Sequence, residues 1–297
     1  MEINYYTPVV TAFDENGVLD IEGNKHIYDY LINGGIKGFL ILGSSGEFYT
    51  MTLEERKALI DMAIPYINKR AKVFIGSACS TVEETIELSN YALKAGADGV
   101  MVISPYYFEV NDATVEGFFD EVAEKVDGPI YIYNFPARTG YDVKSDVILN
   151  LLRKHKNIVG IKDSVPTMGH TREIIVKTKK EFPDFEVYCG FDENLVHNGL
   201  CGGNGSIGAL SNIYPEMVTK WAKAVENKDW ETSAYIQNKV DILMGLYDIN
   251  PFFIPLLKKA MILKGVEITD CCKKPALKVT EEETAKLKAI MEKAESI

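Results

Sequence analysis

Eight times along this chain a short run of β-branched and aromatic residues is followed by an amphipathic stretch, and that alternation constrains the fold more than any other feature. The runs are PVVTAF from Pro8, IKGFLILG from Ile36, KVFIGS from Lys72, DGVMVIS from Asp98, PIYIYN from Pro129, IVGIKD from Ile158, FEVYCG from Phe185 and GSIGAL from Gly205. Near-continuous Val, Ile and Leu suits strands buried on both faces, which means a parallel sheet with helical crossovers. Eight such units close into a (β/α)₈ TIM barrel of the α/β class. A length of 297 residues fits one such core better than two ordinary domains.

Beyond the eighth run only helical periodicity returns, at roughly 215 to 246, 251 to 264 and 281 to 297. The expected organisation is a barrel over residues 1–225 and a C-terminal helical extension over 226–297 packed on it. The apolar stripe in PFFIPLLKKAMIL suits burial against the barrel or a neighbouring subunit.

Lys and Arg number 32 against 43 Asp and Glu, a formal charge of −11, which argues against a binder of phosphate backbones and so against nucleic acid. Apolar stretches run only to about ten residues and the N-terminus lacks a basic region, so neither export nor membrane spanning is expected. Cys79, Cys189, Cys201, Cys271 and Cys272 show no CxxC spacing, which fits a reducing cytoplasm rather than a disulfide framework or a zinc knuckle. His26, His155, His170 and His197 lie far apart without an HExxH pattern and are read as surface or packing residues.

Chemistry on a barrel of this kind sits where strands end and βα loops begin. Gly43-Ser44-Ser45-Gly46-Glu47 is a small-residue turn opening a helix, able to hold a carboxylate or phosphate through free N–H groups, or simply a tight turn with an N-cap. Ser104-Pro105-Tyr106-Tyr107-Phe108 and Tyr133-Asn134-Phe135-Pro136-Ala137-Arg138-Thr139-Gly140 combine aromatic and polar groups. Their tyrosines suit proton transfer or core packing, and Arg138 suits a carboxylate clamp or a surface ion pair. Asp192 and Glu193, after Gly190, suit sugar hydroxyls or a helix N-terminus. Gly203-Asn204-Gly205-Ser206-Ile207-Gly208 permits close backbone approach to a ligand, but comes too late in the chain for a dinucleotide fingerprint.

Strand six carries the strongest signal, because Asn157-Ile158-Val159-Gly160-Ile161-Lys162-Asp163-Ser164 ends an apolar strand in a lysine. Taking an ammonium out of water costs several kcal/mol, so such a site favours the neutral, nucleophilic amine. With a ketone that amine forms a Schiff base whose protonated nitrogen is an electron sink for the adjacent C–C bond. The alternative is a solvated strand-end lysine paired with Asp163.

In this order, GSSGE, PYY, YNFPARTG and GIKDS resemble the dihydrodipicolinate synthase and N-acetylneuraminate lyase family of pyruvate-dependent aldolases, over essentially the whole chain. The resemblance implies that Lys162 condenses with pyruvate, that Ser44 and Ser45 hold its carboxylate and that Tyr133 shuttles protons. It further implies that Tyr107 completes a relay in a neighbouring subunit's site, within a homotetramer built as a pair of dimers. Substrate contacts fall to Arg138, Gly190, Asp192, Glu193 and Ile207. Neither metal nor cofactor is implied, since the iminium does the electrophilic work.

Branch signatures are mixed. Arg138 matches the synthase residue that grips aspartate semialdehyde. Asp192 and Glu193 match a lyase pair that meets sugar hydroxyls, and GIKDS with the downstream Gly169-His170 is similar to 2-keto-3-deoxy sugar acid aldolases. The synthases usually have glutamate where Asp163 stands. Feedback-inhibited synthases have histidine and asparagine where Leu53 and Cys79 stand, and sialic acid lyases tend to have serine in place of Ala209. The expected function is reversible cleavage of a 2-keto-3-deoxy sugar acid to pyruvate and an aldehyde. The alternatives are dihydrodipicolinate synthase, N-acetylneuraminate lyase, and a non-catalytic sensor on the same barrel.

Overall fold

The computed structural model describes residues 2–297. Eight strands, β1 (Asn4–Pro8), β2 (Gly38–Ile41), β3 (Lys72–Gly76), β4 (Gly99–Ile103), β5 (Ile130–Asn134), β6 (Ile158–Asp163), β7 (Glu186–Cys189) and β8 (Gly205–Ile207), form a closed barrel in sequence order. Between and after them lie α1 (Ile21–Asn33), α2 (Leu53–Ile67), α3 (Val82–Ala95), α4 (Asp112–Lys125), α5 (Pro136–Thr139), α6 (Ser145–Lys154), α7 (Met168–Glu181), α8 (Leu195–Leu200), α9 (Pro215–Glu226), α10 (Trp230–Leu243), α11 (Ile254–Leu263) and α12 (Glu281–Glu295). The expected TIM barrel is therefore the observed one. The chain forms two compact units, one built on Val73–Ile207 and the other on Asn4–Lys72 with Gly208–Ile297.

In the first unit β4 and β5 are buried at every residue, as strands covered on both faces must be. Pairing sets Tyr133 beside Lys162 and Lys162 beside Tyr188, with Asn134, Asp163 and Cys189 one step further along. Asp163 bonds to His170 and Thr171 of α7, so its face of β6 is the helix side. Alternation then turns Lys162 to the barrel interior. On that face the Tyr131 and Tyr188 hydroxyls both donate to Glu186 Oε2, at 2.8 and 3.0 Å.

In the second unit β1 pairs with β2 in parallel. The first strand lies upstream of the expected PVVTAF. Val9 N–H makes the last bond to β2, donating to Leu40 O at 3.0 Å, and beyond it Val10 N–H donates to Asn212 Oδ1 at 3.2 Å and Ala12 N–H to Asn24 Oδ1 at 3.1 Å. The run is apolar because it is a buried loop.

Two further expectations are corrected. The tail segment at 215 to 246 is two helices, since Lys228 turns left-handed at φ 60° and Asp229 caps α10 through Thr232 N–H. GSSGE does not open an α-helix. It leads into a 3₁₀ turn at Phe48–Thr50, and α2 starts only at Leu53, where Thr52 and Glu55 form a capping box. The stripe of α11 is buried as expected, through Ile254, Leu256, Leu257, Ala260 and Met261.

Candidate active site

Lys162 is 4% exposed, and its Nζ lies over the Tyr133 ring, 4.6 Å from the centroid. Tyr133 stacks on Phe135, centroids 6.0 Å apart and planes at 29°, and the Arg138 guanidinium carbon lies 5.6 Å from the Phe135 centroid. A column thus runs from the buried amine through two aromatic rings to an exposed guanidinium. It forms because β5 ends at Asn134 and the single turn of α5 folds back, with Arg138 N–H donating to Phe135 O.

The alternative pairing of Lys162 with Asp163 is not what the structure shows. Asp163 is wholly buried on the other face of β6 and its carboxylate is occupied. Asn134 Nδ2 donates to Oδ1 at 2.8 Å, Thr171 Oγ1 donates to Oδ2 at 2.5 Å, and His170 Nδ1 lies 3.0 Å from Oδ2. Asp142 closes the ring, taking Asn134 Nδ2 at 2.8 Å and facing His170 Nε2 at 3.3 Å. Burial opposes a charge on His170, but the Asp163 bond and the charges of Asp163, Asp142 and Glu173 outweigh it and raise its pKa. A histidine expected to sit at the surface or simply pack is therefore part of the brace behind the lysine strand.

Gly190 follows β7 and its N–H donates to Asp163 O at 2.9 Å. A Cβ there would lie 1.8 Å from Ser164 Oγ, so only glycine lets the two loops approach. Asp192 is 3% exposed and begins a 3₁₀ turn that also holds the half-buried Glu193 and runs directly into α8 at Leu195. Ile207, at the end of β8, is 1% exposed. Tyr107 is 89% exposed and meets Phe108 edge-on at 5.3 Å. Sequence reasoning missed Asn134, Asp142 and Thr171. The alternation of β5 and β6 was the available signal, since it puts Asn134 and Asp163 on one face.

Ser44 and Ser45 belong to the second unit. Their loop is bounded by left-handed residues, Leu42 at φ 58° and Glu47 at φ 60°. Gly46 N–H donates to Gly43 O at 3.0 Å, and Thr11 Oγ1 donates to Gly46 O at 2.8 Å. Burial pushes the thiols of Cys189 and Cys272 up to about 12, which leaves neither a ready nucleophile. Among the described residues no helix is long and apolar enough to cross a membrane.

Residues 3–294 match the Dihydrodipicolinate synthetase family, and the chain belongs to it. It is 36% identical over 285 residues to the Escherichia coli K12 protein YagE, named as a 2-dehydro-3-deoxy-D-gluconate aldolase, covering 96% of this chain and 94% of that protein. It is 34% identical over 284 residues to YjhH of the same organism, named as a 2-dehydro-3-deoxy-D-pentonate aldolase, again covering 96% and 94%. The crystal structure of YagE in complex with pyruvate superposes with a TM-score of 0.96 at 35% identity, over 99% of this chain and 98% of that one.

Proposed function

We propose that this enzyme is a Schiff-base lyase that reversibly cleaves a 2-keto-3-deoxy sugar acid to pyruvate and an aldehyde. One observation carries the reading: a lysine buried at the end of β6, seated on the Tyr133 ring, with the neighbouring carboxylate committed elsewhere. The pyruvate bound to YagE and the aldolase names of YagE and YjhH support the same substrate class.

In the proposed reaction the Lys162 amine attacks the C2 carbonyl, Tyr133 gives its hydroxyl proton to the departing C2 oxygen and water leaves, giving a protonated imine and the Tyr133 phenolate. Tyr133 takes the proton of the C4 hydroxyl, the C3–C4 bond breaks, and its electron pair enters the imine as an enamine while the aldehyde departs. Protonation at C3 and hydrolysis release pyruvate and the free amine. Ser44 and Ser45 hold the keto-acid carboxylate, Tyr107 completes the relay in an assembled homotetramer, and Arg138, Gly190, Asp192, Glu193 and Ile207 receive the rest of the substrate. These roles rest on the family resemblance. The cytoplasm is the proposed location.

Borohydride added to protein and pyruvate should leave a reduced adduct on Lys162, seen by peptide mass spectrometry; absence of the adduct ends the reading. A coupled assay with 2-keto-3-deoxygluconate and with aspartate semialdehyde then separates the branches. Arg138, exposed at the end of its column, favours the synthase as the second reading. Turnover of the semialdehyde alone would put that reading first.

A further inference from the structure

Glu47 closes the GSSGE loop, and it is joined to Lys258 of α11 by an ion pair in which both side chains are wholly buried, Nζ to Oε1 at 2.6 Å. Both carboxylate oxygens are used, because Lys273 N–H donates to Oε2 at 2.9 Å. Lys258 Nζ also donates to Cys271 O at 2.6 Å and lies 5.0 Å from the Phe13 ring centroid. The pair therefore ties one loop residue to two separate C-terminal segments, 211 and 226 positions away.

Filling this space would not take charges. Two apolar side chains of similar volume bury without the desolvation cost of an ion pair and are often as stable. Two donors from different segments fix a carboxylate in orientation as well as position. Here the fixed carboxylate belongs to a residue held in the left-handed region, and its own backbone continues the loop: Glu47 N–H donates to Ser44 O at 3.2 Å, while Thr50 N–H and Oγ1 donate to Glu47 O at 3.0 and 2.8 Å. Turning Glu47 would turn Ser44.

We propose that Glu47 and Lys258 are positioning residues for keto-acid binding, their buried pair setting the directions in which the Ser44 and Ser45 N–H groups meet the substrate carboxylate. The proposal rests on the aldolase reading and gives the C-terminal helices a task in it. N–H groups hold an anion directionally, and misplacement by about 1 Å costs on the order of a hundredfold.

The test is borohydride trapping of pyruvate on Lys162 in the full chain, titrated with pyruvate, with thermal melting on the same preparations. Glu47→Gln should raise the pyruvate concentration for half-maximal trapping by about tenfold or more, with the rate at saturation within roughly threefold of wild type. The double variant Glu47→Met with Lys258→Met removes both charges and keeps the volume. It should melt close to wild type and show the same rise, which a merely structural pair would not produce. An unchanged half-saturation in either folded variant overturns the proposal, as does a fall in the saturated rate alone or failure of the double variant to fold. Wild-type protein that traps no pyruvate overturns the aldolase reading instead.

Discussion

The Lys162 amine lies 4.6 Å from the centre of the Tyr133 ring, on the neighbouring strand and at the same level of the sheet. The ring face seats the Nζ, and the hydroxyl at the ring's edge is a proton carrier that β5 supplies. In the proposed reaction this one side chain would both seat the amine and carry the proton, and the two tasks separate on substitution.

Tyr133→Phe keeps the ring and removes the hydroxyl. Pyruvate should still be trapped on Lys162 and the melting temperature should hold, while kcat for cleavage falls by about 10²- to 10⁴-fold. Steady-state kinetics beside the trapping assay decide this; a kcat within a few-fold of wild type removes Tyr133 from the proton path.

Arg138 is exposed and its guanidinium packs on the Phe135 ring. Arg138→Leu should change stability by no more than about 0.5 kcal/mol, as surface substitutions do. Cleavage of 2-keto-3-deoxygluconate, whose aldehyde half carries no carboxylate, should change little. Condensation with aspartate semialdehyde should fall by roughly ten- to a hundredfold, the worth of a charge-assisted hydrogen bond. Equal losses on both substrates would contradict the clamp.

Gly190→Ala sets a methyl group 1.8 Å from Ser164 Oγ and 2.8 Å from its Cβ. The expected destabilisation is about 1–3 kcal/mol. Adding Ser164→Gly should restore most of it, and adding Ser164→Ala only part. Urea denaturation of the set measures the coupling, and additive losses would show that the contact is relieved elsewhere.

His170 has a pKa raised above its unfolded value of 6.5. Its contribution is complete at pH below about 6.5 and is lost as pH rises through the higher folded value. His170→Asn should therefore lower the melting temperature most at pH below about 6.5 and progressively less as pH rises through the raised folded value. A loss independent of pH would mean that the ring acts by packing alone.

Strand order, the lysine at the end of β6 and the GSSGE loop were legible because each follows from local pattern: β-branched runs, an ionisable residue closing an apolar strand, small residues in a turn. The start of β1 was misread because PVVTAF has a strand's composition, and composition does not say whether its N–H groups meet a neighbouring strand or the Asn24 and Asn212 side chains. The sequence also allows Asp163 as the partner of Lys162. The two are adjacent in sequence, yet side chains alternate across a strand, and the carboxylate faces Asn134, His170 and Thr171.

Sequence alone therefore determined the alternation of elements, and with it the barrel and the lysine that closes β6, since hydrophobic period and residue type act over a few neighbouring positions. Tertiary structure decided which groups surround that amine. The Tyr133–Phe135–Arg138 column and the Asp163–His170–Asp142 brace depend on register and on which face each side chain takes, and Glu47 meets Lys258 from 211 positions away. Such contacts are set by the packing of whole elements, and no local pattern encodes them.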